Sequence, residues 1–105
     1  MSEKKIEDIT TERGGDYGQP IDHFDTTRKM FDIFCEKRAI GRDDIPEELD
    51  NCVKHIAYLV LDKLTRLGQN PLKQDGWDDI QGYASLWQGC VEEYNRRNDE
   101  NITIE

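Results

Sequence analysis

Apolar residues in this chain recur every three or four positions, and two-residue alternation is nearly absent, which predicts helices and no sheet. Residues 3 to about 13 carry only Ile6 and Ile9 as clear apolar contacts before Gly14-Gly15. That reads as a short first helix, ended where glycine makes a positive φ available without a Cβ penalty. A second helix is expected from Ile21 or Asp22 to before Gly41, with Phe24, Thr27, Phe31 and Phe34 in one stripe and Met30 and Cys35 beside them. A third is expected from near residue 44, because Pro46 suits a first turn and Asp43, Asp44, Glu47 and Glu48 place negative charge at a helix N-terminus. It is apolar over most of its circumference, from Leu49 through Leu64, and should stop at Leu67 with Gly68 as its left-handed terminator. A fourth opens at Asp75 as N-cap and sets Trp77, Ile80, Ala84, Trp87, Val91 and Tyr94 on one face.

The expected fold is therefore all-α, a single-domain bundle of about four helices over residues 1–97, with 98–105 as a flexible acidic tail. Gly82 and Gly89 inside the fourth helix cost about 1 kcal/mol each relative to alanine, which suggests close approach of another helix or a ligand there. A chain of 105 residues can bury one core. Its apolar fraction of 35% is lean, and a homo-oligomer would relieve the shortage.

Charge narrows the partners. A net charge of −9 repels a phosphate backbone, so duplex nucleic acid is not expected. A small anion needs cations of its own within a Debye length of ~8–10 Å. Cys35, Cys52 and Cys90 lie far apart and in no metal-binding spacing, and so read as core thiols of a reducing compartment. The longest apolar run, Ile56–Leu61, is far short of the ~20 residues that span a bilayer. The expectation is a cytoplasmic protein with no membrane partner.

Candidate chemistry collects on the polar positions of the long third helix. Asn51, His55, Tyr58 and Asp62 fall at steps of four, three and four, flanked by Lys54, Lys63 and Arg66. The strip is either a solvated face with an Asp62–Arg66 pair or a place where Lys63 and Arg66 hold an anion. Lys73 precedes the last helix, whose first-turn N–H groups have no partners within the helix and suit an anion. Trp77 and Tyr83 have faces on which a base can stack, though helical spacing equally suits core packing. For Mg²⁺, Glu47 with Asp50 and Asp75 with Asp79 form two pairs at three- and four-residue spacing that adjacent helices would have to bring together. Capping and dipole compensation explain the same carboxylates without metal. His23 and His55 have no serine or cysteine nucleophile at a recognisable spacing, so no catalytic residue is assigned.

The remaining feature is "ERGGDYGQP" at residues 12–20. A turn needs its glycines but has no evident need for the Tyr-Gly-x-Pro that follows. In order, this stretch, "LDKLTRL" and "DGWDDIQGYA" form the pattern ERG-x-x-YG-x-P, K-x-x-RL and D-x-W-x-DI-x-GYA over residues 12–86. That pattern resembles a group of small uncharacterised phage and prophage proteins. More loosely, it is similar to nucleotide-modification-associated domains. More distantly, the layout resembles the MazG-like all-α nucleoside triphosphate pyrophosphohydrolases, whose two metal motifs Glu47, Asp50, Asp75 and Asp79 meet only in part. The resemblance implies a phage-type nucleotide-binding protein without catalysis, serving nucleotide metabolism or counter-defence against host nucleotide signalling and working in the host-cell cytoplasm. Its ligand would be held by Arg13, Tyr17, Gly18, Lys63, Arg66, Lys73, Trp77, Asp79 and Tyr83. One alternative is a Mg²⁺-dependent pyrophosphohydrolase using the four carboxylates. A second is an acidic protein-binding adaptor.

Overall fold

The computed structural model describes residues 19–38 and 44–105. These form three α-helices and no strand: α1 (Pro20–Arg38), α2 (Glu47–Gln69) and α3 (Gln74–Asn98). The all-α class expected from the periodicity is what the described residues adopt. The helix expected over residues 3–13 lies outside them, as do Arg13, Tyr17 and Gly18.

Each helix boundary has a local cause. Pro20 opens α1, where its missing N–H costs nothing, and the Gln19 carbonyl accepts the N–H groups of Asp22 (3.1 Å) and His23 (3.0 Å). Pro46 is the N-cap of α2 and not a first-turn residue, because its ψ of 147° is extended; Asp50 N–H bonds its carbonyl at 2.9 Å. No side chain caps that end, so Glu47, Glu48 and Asp50 supply the compensation by charge alone. Gly68 does not terminate α2. The helix runs on to Gln69, and Asn70 leaves it in an extended conformation with its N–H on the Arg66 carbonyl.

A turn follows in which Lys73 N–H bonds the Asn70 carbonyl at 3.3 Å. Lys73, not Asp75, is the N-cap of α3. Asp75 sits inside the first turn, while Gln74 Nε2 donates to Asp78 Oδ1 at 3.0 Å. The far end of α3 closes at Asp99, which takes the left-handed conformation (φ 51°), and the Glu100 N–H reaches the Asn95 carbonyl. Asn95 then pairs with Ile102 in both directions: its Nδ2 donates to the Ile102 carbonyl at 2.9 Å and its Oδ1 accepts the Ile102 N–H at 3.0 Å.

α2 is the central helix, as its all-round apolar sequence implies. It packs α1 on one flank and α3 on the other, and α1 and α3 make no contact with each other. The described helices therefore form a layer and not a closed bundle. Both outer helices run antiparallel to α2: Phe31 meets Tyr58 edge-on at 5.6 Å while His23 reaches Asp62, and Leu67 packs on Gly76 while Lys63 reaches Asp79. Among the described residues, Leu49, Leu67 and Val91 are the buried apolar side chains, with Thr27 and His23 as buried polar ones.

Two packing expectations fail. A Cβ on Gly82 or Gly89 would meet nothing within 4 Å, so neither marks a close approach among the described residues; the tight glycine is Gly76. Phe24 and Trp77, placed by periodicity on packing faces, are 60% and 40% exposed, since a layer offers each outer helix only one neighbour.

Candidate functional site

The α1–α2 seam is polar at the α2 C-terminal half. His23 is almost fully buried, and its Nε2 stands 2.6 Å from Asp62 Oδ1. A ring nitrogen that close to a carboxylate carries the proton and donates. Its Nδ1 is buried too and has no hydrogen-bond partner among the described residues. Asp62 Oδ2 also lies 3.4 Å from Arg66 Nε, so one carboxylate serves a histidine and an arginine. Beside them the Thr27 hydroxyl donates to Thr65 Oγ1 at 3.0 Å, and Thr65 donates to the Leu61 carbonyl. A cleft of about 390 Å³ opens against this seam, lined by Gln19, Asp22, His23, Thr26 and Met30 of the α1 side and by Leu64, Thr65, Gly68 and Gln69 of α2. Small-ligand sites occupy ~300–1,000 Å³ and mix apolar walls with a few polar groups.

On the other flank, Lys63 Nζ stands 2.9 Å from Asp79 Oδ2. That hydrogen bond raises the Lys63 ammonium above its ordinary range; partial burial and the Arg66 charge oppose the rise, and Tyr83 adds to it. Lys63, Arg66, Asp79 and Tyr83 thus share one electrostatic neighbourhood at the junction of α2 and α3. The Trp77 indole donates to the Pro71 carbonyl at 2.9 Å, fixing the ring over the turn between the helices. Lys73 sits in that same turn as the N-cap of α3.

Of the residues singled out from sequence, Lys63, Arg66, Asp79 and Tyr83 are brought together, and Trp77 and Lys73 flank them. Arg13, Tyr17 and Gly18 lie outside the described residues. The four carboxylates considered for a metal do not converge. Asp50 pairs with Lys54 at 2.9 Å near the start of α2, and Glu47 is on the same turn. Asp75 and Asp79 open α3 beside residues 63–67, about 24 Å up the helix from Glu47 at 1.5 Å per residue. Antiparallel packing puts the starts of α2 and α3 at opposite ends of the layer. Among the described residues no group of three or more His, Cys, Asp or Glu side chains is placed to hold a metal.

Sequence reasoning assigned His23 no catalytic role and missed its place in the seam. The available signal was its spacing: His23 and Thr27 sit four apart ahead of Phe31 and Phe34, so the polar pair had to enter the same interface as the rings. Elsewhere, Cys52 and Cys90 approach across α2 and α3; burial, then the contact with Cys90, pushes the Cys52 thiol up. Among the described residues no helix is long and apolar enough to cross a membrane.

Comparison with known proteins places most of the chain. Residues 3–91 match the model of a family described as a domain of unknown function, DUF6378. No curated protein and no solved structure matches.

Proposed function

The chain belongs to the DUF6378 family, and we propose that it is a phage-type nucleotide-binding protein without catalysis, serving nucleotide metabolism or counter-defence against nucleotide signalling in the host cytoplasm. The observation that carries this reading is the cleft of about 390 Å³ beside the His23–Asp62–Arg66 chain. Its walls combine Met30 and Leu64 with hydroxyl and amide groups, a lining suited to a nucleoside.

Lys63 and Arg66 do not line the cleft; they share a neighbourhood toward α3 and are the cations nearest in sequence to its α2 wall that an attached phosphate would draw on. Each is engaged by a carboxylate, Asp62 for Arg66 and Asp79 for Lys63. A phosphate would draw on them by exchange with those carboxylates. The exchange costs least at Lys63–Asp79, where the Asp79 side chain is 45% exposed, because exposed pairs contribute only ~0–1 kcal/mol.

Titration calorimetry against mono-, di-, tri- and cyclic nucleotides tests the reading. The expected result is sub-millimolar binding of at least one class, weakened by Arg66→Ala and Lys63→Ala. No heat of binding from any nucleotide would end it.

A further inference from the structure

Lys63 of α2 meets Asp79 of α3 at 2.9 Å. Eleven residues back along α2 stands Cys52, and eleven residues on along the antiparallel α3 stands Cys90. Eleven residues make three helical turns to within about 20° and ~16 Å of rise, so the faces that meet at the salt bridge meet again at the two cysteines. The thiols are in hydrogen-bonding contact there, and both residues are half-buried. Axes of packed helices lie ~8–10 Å apart with Cα atoms ~2.3 Å from each axis, which leaves directly facing Cα atoms about 3.5–5.5 Å apart and oblique ones farther. That range overlaps the ~4.4–6.8 Å that a disulfide spans. Cys35, the third thiol, lies on α1, on the other flank of α2.

We propose that Cys52 and Cys90 form a reversible disulfide that clamps α2 to α3, with a small-molecule disulfide such as oxidised glutathione as the oxidant. The thiolate of one cysteine attacks the small disulfide, whose S–S bond breaks as a mixed disulfide forms and one small thiol leaves. The thiolate of the other cysteine then attacks the protein sulfur of that mixed disulfide, the Sγ–Sγ bond forms, and the second small thiol leaves. The two cysteine protons end on the two released thiols, and the two electrons lost by the protein reduce the small disulfide. Burial, before any other cause, holds the Cys52 thiol above its ordinary range, so near neutral pH the pair rests as thiols until the surrounding pool turns oxidising. Closure fixes a loop of about 40 residues, a constraint that falls mainly on the unfolded chain.

Oxidation of the full chain by excess oxidised glutathione, in a Cys35→Ser background, tests this. The expected product has lost two hydrogen masses, carries no glutathione, shows no free thiol after denaturation, and melts about 10 °C or more above the reduced protein. Dithiothreitol reverses each change, and peptide mapping of the oxidised wild-type chain places the bond between residues 52 and 90. Cys52→Ser and Cys90→Ser each stop at a single glutathione adduct with no rise in Tm; Cys52→Ala and Cys90→Ala give the same reading where a serine variant loses its helical circular dichroism. Two persistent thiols, two glutathione adducts without an internal bond, or a wild-type bond to Cys35 overturn the proposal. So does a cross-link that leaves Tm unchanged or lowers it, since the helices would then have to shift to be joined. None of these outcomes bears on nucleotide binding.

Discussion

The Leu67 side chain occupies the space that a Cβ on Gly76 would need: that atom would stand 2.7 Å from Leu67 Cδ2. Leu67 is 3% exposed and ends the buried run of α2, while Gly76 lies in the first turn of α3. The contact fixes how closely the two helices approach just where the candidate site forms. Gly76→Ala is expected to destabilise the fold by about 1–2 kcal/mol, since overpacking costs ~1–3 kcal/mol and the gain in helix propensity is at most ~1 kcal/mol. Gly82→Ala and Gly89→Ala meet open space and should stabilise by up to ~1 kcal/mol. Urea unfolding of the three variants checks the contrast; equal effects would mean that the Leu67–Gly76 contact does not set the helix spacing.

Removing the carboxylate that His23 and Arg66 share is costly. Asp62→Ala leaves a buried imidazole N–H without its acceptor, and such a loss costs ~1–3 kcal/mol. Thr27→Val is milder, under about 1.5 kcal/mol, because Thr65 keeps its bond to the Leu61 carbonyl. Chemical denaturation of both variants, side by side, reads the difference.

Glu93 supplies a pH prediction. Arg96 and Arg97 both bond its carboxylate, at the Nε of Arg97 over 2.8 Å, and hold its pKa down to about 2 from the ordinary 4.5. A depressed carboxyl contributes above its unfolded pKa and loses that contribution as pH falls toward 2. Carboxyl carbon shifts followed by NMR should show a midpoint near 2, returning to near 4.5 in the Arg96→Gln, Arg97→Gln double variant. An unmoved midpoint would show that the two arginines are not the cause.

The core is small and its members unequal. Leu49 is 1% exposed and Leu86 52%. Leu49→Ala should cost ~2–5 kcal/mol and Leu86→Ala a fraction of that, as thermal unfolding will show. Comparable losses would place Leu86 in an interface the layer does not contain.

Periodicity located the three described helices because α2 is apolar enough to demand neighbours on both flanks. It misjudged ends and neighbours. Gly68 reads as a terminator in sequence, but the helix continues past it because burying Leu67 requires helical backbone on both sides. Gly82 and Gly89 read as sites of approach, whereas a local pattern cannot say which side of α3 has a neighbour. The cations Lys63 and Arg66 were legible as residues on one helix. The Asp62–Arg66 pair, four residues apart on that helix, was legible too; the long-range partners were not, since Asp79 comes from another helix and His23 joins Asp62 across 39 positions. The paired acidic turns misled for the same reason, since spacing within a helix says nothing of which end meets which.

The most direct test of the nucleotide reading is amide chemical-shift mapping while a nucleotide panel is titrated into the full chain. The expected perturbations cluster at residues 23–30, 62–69 and 79–83, saturate below millimolar ligand, and shrink in Arg66→Ala. Shifts confined to residues 47–54, at the opposite end of α2, or no shifts with any nucleotide, would contradict it.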